Sequence, residues 1–157
     1  MLSTAGCWAA YCEVLAREYR DSSYRLVNRL TVDAYAVQHP GEDMPQARNS
    51  VGVHLSRLAL IFERGFPIEQ ANEAMVAITA RDRDYPWLTP PRLTPARLTP
   101  ARLTPPQSRG QMTLRDVMNA TNPHEHHRAV ERWAHSAWMA WSEHHSTVLS
   151  WVREIDA

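Results

Sequence analysis

An all-α fold follows from three observations on this 157-residue chain. Apolar residues recur at spacings of three and four in segment after segment, proline and glycine fall between those segments, and no run alternates with a strand's period of two. The expected architecture is an antiparallel bundle of four main helices plus an additional helix, with a long Pro-rich loop before the last helices. Apolar residues make up 44% of the chain and charged residues 22%, enough for one sizeable core in a single domain over 1–157.

Each element has its own signal. The first helix covers 5–20, with Trp8, Tyr11, Cys12, Leu15 and Tyr19 at helical spacing. Asp21, Ser22 and Ser23 supply a turn and an N-cap for a second helix from about Tyr24 to Gln38, ended by His39-Pro40-Gly41. A third runs from about Gln46 to Arg64, with Gly65 as its left-handed cap, and Pro67 opens a fourth through about Thr79. Thr113 caps a short helix to about Ala120. Pro123 then opens a long final helix to about Ile155, whose apolar stripe includes Val130, Trp133, Trp138, Trp141, Val148 and Trp151.

The loop before it, Leu88 to Gln107, is four tandem Leu-Thr-Pro pentapeptides. Proline at every fifth position forbids a helix, so an extended, exposed path of polyproline II character is expected. Each step of five advances about 240°, so Arg92, Arg97 and Arg102 point in different directions and form no basic stripe. The segment reads as a loop lengthened by slipped repeats, with Trp87 anchoring its near end.

Basic and acidic residues balance at 17 each, and every basic residue is arginine. Zero net charge argues against a general nucleic-acid binder and against a protein held to membranes by polybasic attraction. Absence of lysine reads most simply as a GC-rich coding bias. No apolar run is long enough to span a bilayer and no signal peptide is visible. Cys7 and Cys12 would lie about 140° apart around a helix, so two reduced thiols are expected. The expected location is the cytoplasm of a bacterium.

Ionisable groups on apolar helix faces mark where function could lie. Asp33 falls in the stripe of Leu26, Leu30 and Val37, and His54 lies among Val51, Leu55, Leu58 and Phe62. His144 and His145 fall between Trp141 and Val148, and His39 closes the second helix, where an imidazolium would suit the macrodipole. A buried carboxylate needs an arginine, a histidine, backbone donors or a metal beside it. Inward imidazoles and a carboxylate from facing helices are how bundles build metal sites, so Asp33, His39, His54, His144 and His145 form a candidate ligand set for Zn, Ni, Mn or Fe. Such a centre would be hydrolytic or Lewis-acidic. Imidazoles converging on one point would favour it; histidines separated by tryptophan rings would favour packing roles. His124, Glu125, His126 and His127 do not make the zinc-protease motif, because Arg128 stands where its second histidine belongs. His127, Glu131 and His135 read as a solvated face.

The run Arg29-Leu-Thr-Val-Asp-Ala-Tyr-Ala-Val-Gln-His-Pro-Gly41 resembles the hallmark of an uncharacterised bacterial family, one of the domain-of-unknown-function families. Further similar pieces are Cys7-Trp8, Glu13 to Tyr19, Ser50 to His54, Leu60 to Gly65, and Arg132-Trp-Ala with Trp138, Trp141, His144 and His145. The resemblance spans most of the chain except the repeat. It implies an all-α domain, assigns no activity, and places Asp33, Gln38, His39, His54, His144 and His145 within its pieces. Many members carry an upstream cysteine pair like a small zinc knuckle, a point after which this chain begins. A more distant analogy, on fold alone, is to the DinB-like helical bundles that hold a metal with three histidines. Two functions are therefore expected: a metal-binding bundle, hydrolase or transferase, acting on a small molecule, or a non-catalytic interaction module that dimerises through its Trp-rich last helix.

Overall fold

Thr4 opens the first helix by accepting the Cys7 amide hydrogen at 3.2 Å. The computed structural model describes residues 4–41, 45–80 and 103–153, apart from the side chains of 45–49 and 77–80. Regular structure among them is entirely helical: α1 (Ala5–Arg20), α2 (Asn28–Gln38), α3 (Pro45–Phe62), α4 (Ile68–Ala80), α5 (Leu114–Met118), α6 (Pro123–Ala140) and α7 (His145–Trp151). Two 3-10 segments, Ser22–Val27 and Ser142–His144, precede α2 and α7. No described helix is long and apolar enough to cross a membrane. Cys7 and Cys12 are both free thiols, as expected.

Local chemistry sets most boundaries where the sequence placed them. Gly65, at φ 71°, ends α3 in a reversed turn, and the Phe66 amide returns to the Leu60 carbonyl at 2.9 Å. Thr113 and Asp116 make a reciprocal capping box on α5. Asn122 caps α6, with Pro123 at its first turn.

Two expectations need correction. The second helix does not run as one α-helix from Tyr24, because Asp21 instead caps a 3-10 segment through its bond to the Ser23 amide. Three residues per turn shift the helical phase, so Leu26 faces out (48% exposed) while Val27 is buried. The final helix is also not continuous, since it breaks at Trp141. There the Trp141 amide bonds back three residues to Trp138, and its indole N–H donates to the Val37 carbonyl at 3.1 Å. His145 then donates to the Trp138 carbonyl at 3.0 Å, an acceptor that a continuing α-helix would use itself.

At the centre lies α2, packed chiefly against α3 and α6 with α1 alongside. Trp133, Trp138 and Trp141 are fully enclosed, together with Leu30, Leu55 and Leu58. Of the pentapeptide repeat, 88–102 lies outside the described residues, as does Trp87. Residues 103–107 carry no regular structure, with Leu103 against the core.

Gln38, Ser136 and Gly110 tie down the second half of the loop from Leu103 to Thr113. Gln38 Nε2 donates to the carbonyls of Arg109 and Met112, both at 2.8 Å. Ser136 Oγ accepts the amides of Gln111 and Met112. Gly110, at φ 99°, comes so close to α6 that a Cβ would stand 2.7 Å from the Ser136 carbonyl oxygen. Gly110→Ala should therefore lower unfolding free energy by about 1–3 kcal/mol from backbone conformation alone, with the clash adding to it. Gly6→Ala on α1, whose Cβ would meet Thr4 Oγ1 at an ordinary 3.9 Å, should be neutral or slightly stabilising. Urea unfolding of both variants measures the contrast.

Candidate functional site

Asp33 and His54 meet across the α2–α3 interface. Asp33 is fully buried because α2 is enclosed at that turn, and its Oδ1 accepts His54 Nδ1–H at 2.7 Å. Arg57, one turn further along α3, donates to the same oxygen, also at 2.7 Å. Its guanidinium balances the buried carboxylate, which would be costly unpaired. His54 remains 18% exposed, and among the described residues nothing bonds its Nε2. Asp33 Oδ2 and Arg57 Nε are buried without partners. Chemically, this is an imidazole whose tautomer and orientation are set by a carboxylate while its outer nitrogen stays available.

The other expected ligands lie apart from this pair. His145 lies flat on the Trp138 indole, ring centroids 3.8 Å apart and planes 4° from parallel. Its Nδ1 is 3.8 Å from Glu63 Oε1, which also accepts Trp138 Nε1–H. Glu63 stands about 13 Å along the axis of α3 and its terminal turn from His54, at 1.5 Å per residue. His144 donates to the Thr104 carbonyl at 2.9 Å and so fastens the last pentapeptide to the body. His39 packs on Tyr35 at the end of α2. Among the described residues, no group of three or more His, Cys, Asp or Glu side chains is placed to hold a metal ion. The five proposed ligands thus divide into one contacting pair, Asp33 with His54, and three residues at other places. Glu131 and His135 are exposed, as expected of a solvated face, and His127 is half-buried.

A second carboxylate–imidazole pair, Glu18 with His126, escaped the sequence reading. Both side chains are fully buried, with His126 Nε2–H donating to Glu18 Oε1 at 2.8 Å. Thr31 donates to that oxygen at 2.6 Å and Asn28 to Oε2 at 3.0 Å, so both carboxylate oxygens are satisfied. The signal was present: Glu18 follows Tyr11 and Val14 on the buried stripe of α1, and His126 precedes Val130 and Trp133 on that of α6. His126 was hidden within a run of polar neighbours whose motif fails.

An open hollow of about 320 Å³ lies toward the start of α2 and the end of α3, and none of Asp33, His54 and Arg57 lines it. Its walls include Leu30, one turn from Asp33 on α2, and Ile61, one turn from Arg57 on α3, with Phe62, Phe66 and Ile68 beyond.

Removing His126 leaves the enclosed Glu18 carboxylate short of a donor. His126→Ala should cost about 3–5 kcal/mol in chemical denaturation. His39 titrates in the opposite sense from a stabilised imidazolium: burial first, then nearby positive charge including Arg109, holds its pKa below the ordinary value. The unfolded chain then takes up this proton more readily than the folded one. His39's contribution is thus complete above the ordinary histidine pKa of about 6.5 and is lost as pH falls toward the folded value. An NMR titration of its ring Cε1–H should give a midpoint below that ordinary value, and His39→Gln should flatten the acid-side fall in thermal midpoint.

No curated protein and no solved structure matches the chain. A family model does match, over residues 1–142, which fits the resemblance to an uncharacterised domain-of-unknown-function family. The chain belongs to DUF5946, a family of unknown function.

Proposed function

We propose that the protein is an enzyme in which His54 acts as general base on a small, partly apolar substrate. The observation that carries this is the Asp33–His54 contact at 2.7 Å with the outer imidazole nitrogen left available. In a hydrolytic or group-transfer step, Nε2 takes the proton of an attacking water or hydroxyl, and Asp33 stabilises the imidazolium that forms. Arg57 keeps the carboxylate in place and electrically balanced.

A contrast with Glu18 supports the reading. A purely structural buried carboxylate has a donor on each oxygen, as Glu18 does. Asp33 instead takes both donors on Oδ1, and its enclosed Oδ2 has no protein partner. The metal reading reduces at this place to His54 Nε2, because a carboxylate-held ring commonly ligates through its other nitrogen.

The test is a panel of activated carboxylic esters, amides and phosphate mono- and diesters, run on wild type, His54→Gln and Asp33→Asn with folding checked by circular dichroism. One class should be turned over, and His54→Gln should lower kcat/KM by about 10²–10⁴. Turnover of no class, or turnover indifferent to both variants, would refute a general-base role. Stoichiometric Zn, Ni, Mn or Fe in untagged wild type, lost in His54→Gln, would replace that role with a metal centre.

A further inference from the structure

The hollow beside the α3–α4 turn departs from the rest of the chain in its charge. Its walls are mainly apolar, with Ile61 and Phe62 from the end of α3, Phe66 from the turn and Ile68 from the start of α4. Ile61, Phe62 and Ile68 are only half-buried, so apolar surface stays open to solvent there. Basic and acidic residues balance over the whole sequence, yet the two charged residues lining this hollow, Glu69 of α4 and Glu131 of α6, are both acidic. Both are exposed, and neither carboxylate has a hydrogen bond or ion pair to another described residue.

The cationic groups next to it do not neutralise this pair. Arg64 lies over the Phe66 ring, 5.5 Å from its centroid, but its Nη1 donates to the Val152 carbonyl at 2.7 Å. His135 meets Phe62 edge-on at 5.1 Å and forms no ion pair among the described residues. The wall itself is preset. Gly65 reverses the chain, the Phe66 amide bonds to the Leu60 carbonyl and the Ala71 amide to the Pro67 carbonyl, each at 2.9 Å. Preorganisation of that kind lowers the ordering cost of binding. Water alone satisfies an exposed carboxylate, but a cation that brings its own apolar part gains from both features at once. The hollow's volume of about 320 Å³ stands at the lower end of small-ligand pockets, so it suits a ligand with one ring or a short chain.

We propose that this hollow binds a small primary amine bearing an apolar ring or chain. The apolar part lies against Ile61, Phe62, Phe66 and Ile68, and the ammonium lies in the field of Glu69 and Glu131. Phenyl rings in the wall are themselves compatible with a nearby cation, as Arg64 over Phe66 illustrates. None of Asp33, His54 and Arg57 lines the hollow, so the proposal does not rest on the general-base reading.

Proton–nitrogen correlation NMR of the full chain, titrated with phenethylamine, phenethyl alcohol and phenylacetate, tests this, because the three probes share a ring and differ in charge. Phenethylamine should bind at millimolar concentration or below and shift the amides of Ile61, Phe62, Phe66, Ile68 and Glu69. The alcohol should bind about fivefold more weakly or worse, and phenylacetate more weakly still. Joint substitution Glu69→Gln and Glu131→Gln should bring the amine down to the affinity of the alcohol and leave the alcohol unchanged. Both positions are exposed, so the double variant should keep the wild-type circular dichroism spectrum. Should it not fold, raised salt on wild type makes the same comparison, weakening the amine and sparing the alcohol. His54→Gln should leave amine binding intact, which separates this site from the general-base reading. No binding of any probe, an alcohol as tight as the amine, shifts away from the hollow, or amine binding indifferent to the double substitution or to salt overturns the proposal.

Discussion

Enclosure of α2 is the constraint on which the rest of the structure depends. Most helices bury one face, but eight of the eleven residues of α2 are buried, and they fall on all sides of it. Four of the eight are polar side chains with specific partners: Asn28 and Thr31 to Glu18, Asp33 to His54 and Arg57, and Gln38 to Trp133 and the 103–113 loop. These partners come from α1, α3, α6 and the loop, so satisfying α2 fixes all four at once. An unmet buried group costs about 1–3 kcal/mol, which makes these bonds strong determinants of one arrangement.

Within that frame the two carboxylate–imidazole pairs play opposite parts. Glu18 is saturated by two neutral donors and an imidazole in a fully closed place, which suits a lock between α1, α2 and α6. Asp33 holds an imidazole whose far side reaches solvent, and one of its own oxygens is unmet. The same residue types therefore serve cohesion in one case and availability in the other, and solvent access separates them. Arg109 serves the scaffold through its backbone carbonyl, which accepts from Gln38.

Much of this was legible in the residues. Asp33 and His54 were identifiable because each interrupts an apolar stripe, and an interruption demands a partner. Their partnership was legible only as a class of solution, since a carboxylate can be met by arginine, histidine or metal. Here histidine and arginine both supply it. Grouping His144 and His145 with them was less secure, because it assumed a straight final helix. The bend at Trp141 sends His145 back onto Trp138 and His144 toward Thr104. Arg109 gave no signal at all, since a single arginine in a loop has no period to break.

What the sequence determined by itself is local: helical character, the cap at Thr113, the opening of α6 at Pro123, the stop at Gly65, and the two odd residues of α2 and α3. These follow from bonds and conformations spanning a few residues, which spacing and residue type suffice to express. The tertiary structure decided the 3-10 start before α2, the break at Trp141, and which of eight histidines meet carboxylates. Those outcomes turn on contacts such as Trp141 to Val37 and His126 to Glu18, 104 and 108 residues apart. At that separation no periodicity carries information, and only the packed core brings the partners together.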